Sequence, residues 1–156
     1  MASWSEIEAE APELAAAAKR HLEARKHKTI ATMRRDGSPR ISGTEATFHD
    51  GDLWWGSMAN AVKARDLQRD GRFALHSGSE DPPGWTGDAK VAGRAEELTG
   101  ERRAQVLEAM GSDPEGDSHL FRADIAELSV VELNDERTKL IIRSWTPERG
   151  VRQLER

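Results

Sequence analysis

Two Asp-Gly pairs, Asp36-Gly37 and Asp50-Gly51, constrain this chain more than any other feature. Each supplies the positive backbone φ that a tight hairpin turn requires. Around them lie short runs suited to extended backbone: Thr29 to Arg34 (TIATMR), Arg40 to Phe48 (RISGTEATF) and Leu53 to Gly56. Three strands joined by two tight turns form an antiparallel meander. Arg72 to Ser77 (RFALHS) reads as a fourth strand. Asp88 to Leu98 alternates Ala89, Val91, Gly93 and Ala95 against Lys90, Arg94 and Glu96, the pattern of a half-buried strand. Ile125 to Leu133 and Lys139 to Trp145 supply a final pair. Such a set predicts a mainly β fold, a closed antiparallel barrel with flanking helices. Closure removes the edges that a sheet this polar cannot cover.

Three helices fit between the strands. Pro12 suits a first helical turn, and Leu14, Ala18 and Leu22 then make a narrow apolar stripe to about Lys26. A second helix spans about Asn60 to Asp70, with Asn60 as N-cap and Gly71 just past its end. A third starts at Thr99 and runs to about Met110. Gly78 to Gly87 is a loop by composition and carries Trp85. The expected organisation is an N-terminal helical segment (1–26), a barrel domain (27–146) and a loosely held polar tail (147–156).

Composition narrows the classes. Leu, Ile, Val and Phe number only 27 of 156 residues, so 21 Ala and five Trp must supply much of the apolar area. A thin core, completed by a partner subunit, is the expectation. With no Cys, disulfides, thiol catalysis and Cys-based metal sites are excluded. No apolar run approaches the roughly 20 residues of a membrane helix. The acidic start, MASWSEIEAE, lacks a signal-peptide pattern, so a cytoplasmic protein without membrane partners is expected. A net charge of −5 and a pI near 5.6 argue against nucleic acid as a partner, although the R-R-D-G-S-P-R turn is locally basic.

Catalytic motifs are missing: no G-x-S-x-G, Walker loop or H-E-x-x-H occurs. His21 and His27 are six apart and do not form a metal pair; no metal site is expected. His76 shares a strand with Phe73 and Leu75 and reads as structural. Catalytic residues are therefore left unassigned, which points to a borrowed cofactor or to no chemistry. One segment is more informative. Gly56 and Ser57 end a strand, a helix starts three or four residues on, and Lys63 lies in its first turn. Open backbone N–H groups with a hydroxyl and a lysine nearby suit a phosphate dianion. A capped helix with a solvated lysine is the plainer alternative.

The run from His27 to Ser77 resembles the pyridoxamine 5′-phosphate oxidase-like superfamily of flavin-binding split β-barrels, which are usually homodimers. The resemblance rests on the T-I-A-T strand, the D-G-x-P-R turn, the D-G-D-L-W hairpin and S-x-x-x-x-x-K-A-R-D-L before a strand. It continues through GWTGDAKVAGRAEEL. It implies a six- to seven-stranded antiparallel split β-barrel of the FMN-binding type. By resemblance, Arg40, Ile41 and Ser42 lie along the flavin and its phosphate, and Ser57 and Met58 match the end of the third strand, where a hydroxyl meets the phosphate. Lys63 closes that site. Trp85 belongs to a loop that, in deazaflavin-binding relatives, nears the cofactor of the neighbouring subunit. The implied cofactor is FMN or the deazaflavin coenzyme F-420. The implied function is hydride transfer between that cofactor and a small-molecule substrate. The alternative is a non-catalytic carrier or sensor of flavin, deazaflavin or haem. Two departures stand out. Ala61 and Val62 occupy positions where many relatives have a hydroxyl and a basic residue, with Arg65 two positions beyond Lys63. The C-terminal TPERGVRQLER lacks the Arg-rich substrate motif of true pyridoxamine phosphate oxidases, so that reaction is not expected.

Overall fold

The computed structural model describes residues 1–156. Helices α1 (Trp4–Glu10) and α2 (Pro12–Glu23) precede β1 (His27–Met33), β2 (Pro39–His49) and β3 (Asp52–Ser57). Then follow α3 (Val62–Arg69), β4 (Arg72–His76), β5 (Gly87–Leu98), α4 (Gly100–Ala109), β6 (His119–Leu133), β7 (Leu140–Thr146) and β8 (Gly150–Glu155). The strand order is β3-β2-β1-β4-β5-β6-β7-β8, and β6 pairs again with β3. Six antiparallel strands therefore close into the expected barrel, from which β7 and β8 extend. No helix is long and apolar enough to cross a membrane.

Local chemistry sets the turns. Asp50 and Gly51 both take positive φ (46° and 76°) between the paired His49 and Asp52, the geometry of a two-residue hairpin. In the other turn, Gly37 (φ 84°) donates its N–H to the Arg34 carbonyl, and Asp36 Oδ1 accepts from the Ser38 N–H. Between β5 and β6 the register shifts at Ala92/Gly93, where a Cβ on Gly93 would stand 2.1 Å from the Asp124 carbonyl oxygen. Only glycine permits that close approach.

The barrel interior is filled by Ile30, Leu53, Trp55, Phe73, Leu75 and Phe121, and α1 and α2 lay Trp4, Ile7, Leu14 and Leu22 into the same core. Trp55 packs on Phe73 and Phe121 at centroid distances of 4.8 and 6.0 Å. Its neighbour Trp54 points to the other face, as strand alternation demands. There it joins Leu98, Leu107 and Leu120 beneath α4.

Four features differ from the sequence reading. Helix α1 was not expected; Ser3 caps it in a reciprocal capping box with Glu6. Helix α2 ends at Glu23, three residues earlier than Lys26. The N-cap of α3 is Ala61, while Asn60 takes φ 61° just before it. Residues 150–155, expected in a loose tail, form β8 against β7, because the open edge of β7 supplies the backbone partners that the polar side chains do not.

Candidate cofactor site

The alternation of β3 turns Leu53, Trp55 and Ser57 inward, so the last residue of the strand is a buried serine at the barrel rim. Ser57 is only 7% exposed, and its Oγ has no hydrogen-bond partner. A stranded hydroxyl of this kind costs about 1–3 kcal/mol unless something meets it. Five residues on, α3 begins without a side-chain cap; the N–H groups of Ala61 and Ala64 donate to the Met58 and Ala61 carbonyls, and those of Val62 and Lys63 stay open. Lys63 sits in that turn. Its ammonium donates to the Gly43 carbonyl at 2.6 Å and makes no ion pair with a carboxylate. Burial pushes the Lys63 pKa below the usual lysine range, so a nearby anion would favour its charged form.

Ser57, Met58 and Lys63 line one cavity of about 450 Å³, together with Gly43, Thr44 and Ser118. The Thr44 hydroxyl is also buried without a partner. The rim carboxylate, Glu45, faces Lys26 at 3.5 Å rather than Lys63. A second cavity of about 420 Å³ adjoins the first and shares Glu45, Gly56 and Ser118 with it. Trp54, Leu107 and Met110 line its apolar side, and Asp113 and Asp117 its polar side. The arrangement thus joins a cationic, hydroxyl-bearing pocket to a wider and partly aromatic one.

The other sequence candidates lie around this cradle. Arg40 is outside the cavity lining: its Nε donates to Asp66 at 2.6 Å. Asp66 is 2% exposed and also accepts from Thr32 Oγ1 at 3.0 Å and Arg69 Nη2 at 3.1 Å. Burial raises the Asp66 pKa, but the hydrogen bonds from Arg40, Arg69 and Thr32 outweigh it and hold the carboxyl below its ordinary range. The cluster ties β1, β2 and α3 together and so fixes where Lys63 stands. Ser42 is half-buried on β2, and Ile41 points outward. Arg65 contacts only Asn60 Oδ1, at 3.4 Å. Trp85 donates to Asp88 Oδ2 at 3.0 Å and borders a separate small cavity beside His21 and Arg25. Ser57, Met58 and Lys63 thus come together, whereas Arg40, Ile41, Ser42 and Trp85 stand apart from them. Sequence reasoning missed Thr44 and Ser118. Thr44 lies two residues beyond Ser42 in an alternating strand, which was a usable signal. Ser118 gave none, since the closure of β6 onto β3 brings it in.

Residues 14–140 match the model of the pyridoxamine 5′-phosphate oxidase family, and the chain belongs to that family. Among solved structures, PhzG from Burkholderia lata 383, in complex with tetrahydrophenazine-1-carboxylic acid, superposes with a TM-score of 0.67. It is 13% identical, over 98% of this chain and 92% of the other. A pyridoxamine 5′-phosphate oxidase-related, FMN-binding protein from Nostoc punctiforme PCC 73102 gives 0.64 at 14% identity, over 100% and 97%. A protein of Clostridium acetobutylicum related to general stress protein 26 gives 0.61 at 12% identity, over 92% and 96%. No curated protein sequence matches.

Proposed function

We propose that this protein binds a flavin-type cofactor, FMN or the deazaflavin coenzyme F-420, by its phosphate in the Ser57–Lys63 cradle, and that it is an oxidoreductase acting on a small molecule. The observation that carries the reading is the unpartnered, buried Ser57 hydroxyl beside an ammonium without a carboxylate. Both are groups that a phosphate dianion satisfies. The family and the FMN-binding relative of like fold support the flavin. When bound, its ring accepts or donates the hydride. The chain's own residues anchor and exclude water: Lys63 and Ser57 hold the phosphate, the open N–H groups of Val62 and Lys63 add backbone donors, and Trp54 with Met110 walls the adjoining pocket where a substrate would lie.

Large apolar residues are exposed at the cradle (Met58, 81%), in the first turn of α3 (Val62, 52%) and on β2 (Ile41, 73%). In the homodimer we propose, a second copy of the chain covers them, and the resemblance suggests that its Trp85 loop approaches the cofactor. The test is a pair of titrations, FMN and F-420, followed by absorbance and fluorescence, into wild type and Lys63→Ala. One cofactor binds in the micromolar range or tighter, and the variant binds it roughly 10–150-fold more weakly, the value of a charge-assisted contact. No binding of either cofactor at millimolar concentration overturns the proposal. Turnover of an acceptor by reduced cofactor separates the oxidoreductase from a non-catalytic carrier or sensor.

A further inference from the structure

A second charged cavity, of about 550 Å³, lies at the far end of the barrel and has no hydrophobic lining. Arg34 and Arg35 reach it from the turn after β1, Arg69 from the end of α3, Arg72 from the start of β4 and Arg94 from β5. Its one carboxylate, Asp70, is taken by Arg72 at 2.6 Å. Arg69 is engaged by Asp66 and by the Met33 carbonyl. Three guanidinium groups remain uncommitted. Arg34 has only a 3.4 Å contact with Ser38 Oγ, and Arg35 and Arg94 have no hydrogen bond or ion pair.

Arg94 faces Arg72 across the β4–β5 pair and Asp124 across the β5–β6 pair, and Asp70 feels the positive charge of both arginines. We infer that this cavity binds a small anion carrying at least two linked phosphates, held by Arg34, Arg35 and Arg94. A monophosphate brings at most two charges, whereas a pyrophosphate group offers enough oxygen atoms to meet three arginine forks that converge from two separate elements. A long polyanion is disfavoured, because the chain as a whole carries −5 and repels whatever extends beyond the patch.

The site goes beyond the proposed cofactor cradle and stands or falls independently of it. The two cavities share no lining residue. His27 and Lys63 mark one end of β1 and α3, and Arg34 and Arg69 the other, roughly 20 Å along a seven-residue strand.

The experiment is thermal unfolding and calorimetric titration at constant ionic strength, with pyrophosphate, ADP, inorganic phosphate and a single-stranded oligonucleotide. It uses wild type and the double variant Arg35→Gln/Arg94→Gln. Pyrophosphate should raise the wild-type Tm and bind at least tenfold more tightly than phosphate. The double variant should unfold within about 2 °C of wild type without ligand, since both side chains are exposed and make no hydrogen bond or ion pair. It should bind pyrophosphate at least tenfold more weakly and leave FMN titration unchanged. ADP binding more tightly than pyrophosphate assigns the site to nucleotides, and equal binding assigns it to the phosphate chain; both uphold the inference. It is overturned if pyrophosphate causes no shift at millimolar concentration, if phosphate or the double variant binds as well, or if the oligonucleotide binds more tightly than pyrophosphate.

Discussion

The free and the cofactor-loaded protein should respond to Ser57→Ala in opposite directions. In the free protein the serine hydroxyl is buried and unpartnered, a state that costs about 1–3 kcal/mol. Alanine removes the oxygen and leaves only a small gap, so the net gain in stability is about 1 kcal/mol. For a chain of this length that raises Tm by roughly 2–4 °C. On the proposed reading, the same hydroxyl donates to the phosphate of the bound cofactor. Losing a hydrogen bond to a charged group costs about 1.5–3 kcal/mol, a roughly 10–150-fold loss of FMN affinity. Urea unfolding with and without saturating FMN reads both effects on one sample. A free variant less stable than wild type by about 1 kcal/mol or more would mean that the hydroxyl is bonded within the protein. Unchanged FMN affinity would equally refute the reasoning.

Other perturbations test the parts that hold this cradle in place. Asp66→Ala strips a buried carboxylate from three donors; because Arg40 and Arg69 are partly solvated, the usual cost of a broken buried pair falls to about 2–3 kcal/mol, measurable as a drop in the urea midpoint. The pH dependence has a definite sign. Asp66 has a folded pKa below its ordinary value of about 3.9, so its contribution is complete above that pH and is lost as pH falls further through the folded value. Asp66→Asn should flatten part of the stability profile below about pH 4, leaving the shares of Asp36, Asp70 and Glu6, held low by their hydrogen bonds to Ser38, Arg72 and Ser3, and of Glu132. There burial raises the pKa, but His21 and Arg143 lower it further. Ile41→Asp places a charge on the exposed apolar rim. It should raise the dimer dissociation constant about tenfold or more by sedimentation equilibrium, with monomer stability changed by no more than about 0.5 kcal/mol; an unaffected dimer moves the interface elsewhere.

How much the sequence discloses follows from how local each determinant is. The Asp-Gly hairpins and the alternation of β5 are short-range, so the strands they define are legible from the residues alone. Helix α1 is too brief for periodicity, yet its Ser3-x-x-Glu6 capping box stands in the sequence and is enough to announce it. Strand β8 is not legible: Arg152, Gln153 and Glu155 alternate with nothing buried, and only the open edge of β7 makes them a strand. The site divides the same way. Ser57 and Lys63 lie on one continuous segment and can be picked from it. Ser118 arrives through a pairing more than 60 residues away in sequence. Arg40 resembles a phosphate ligand by its motif, but the fold commits it to Asp66. A carboxylate inside K-A-R-D-L-Q-R-D reads as a solvated charge, and its burial depends on how α3 packs against β1.

The most direct measurement is a crystal structure grown with excess FMN. The phosphate should lie within hydrogen-bond distance of Ser57 Oγ and Lys63 Nζ, with the lysine turned from the Gly43 carbonyl to a phosphate oxygen. A flavin phosphate found elsewhere on the barrel, or a cradle closed by protein side chains, would contradict the account.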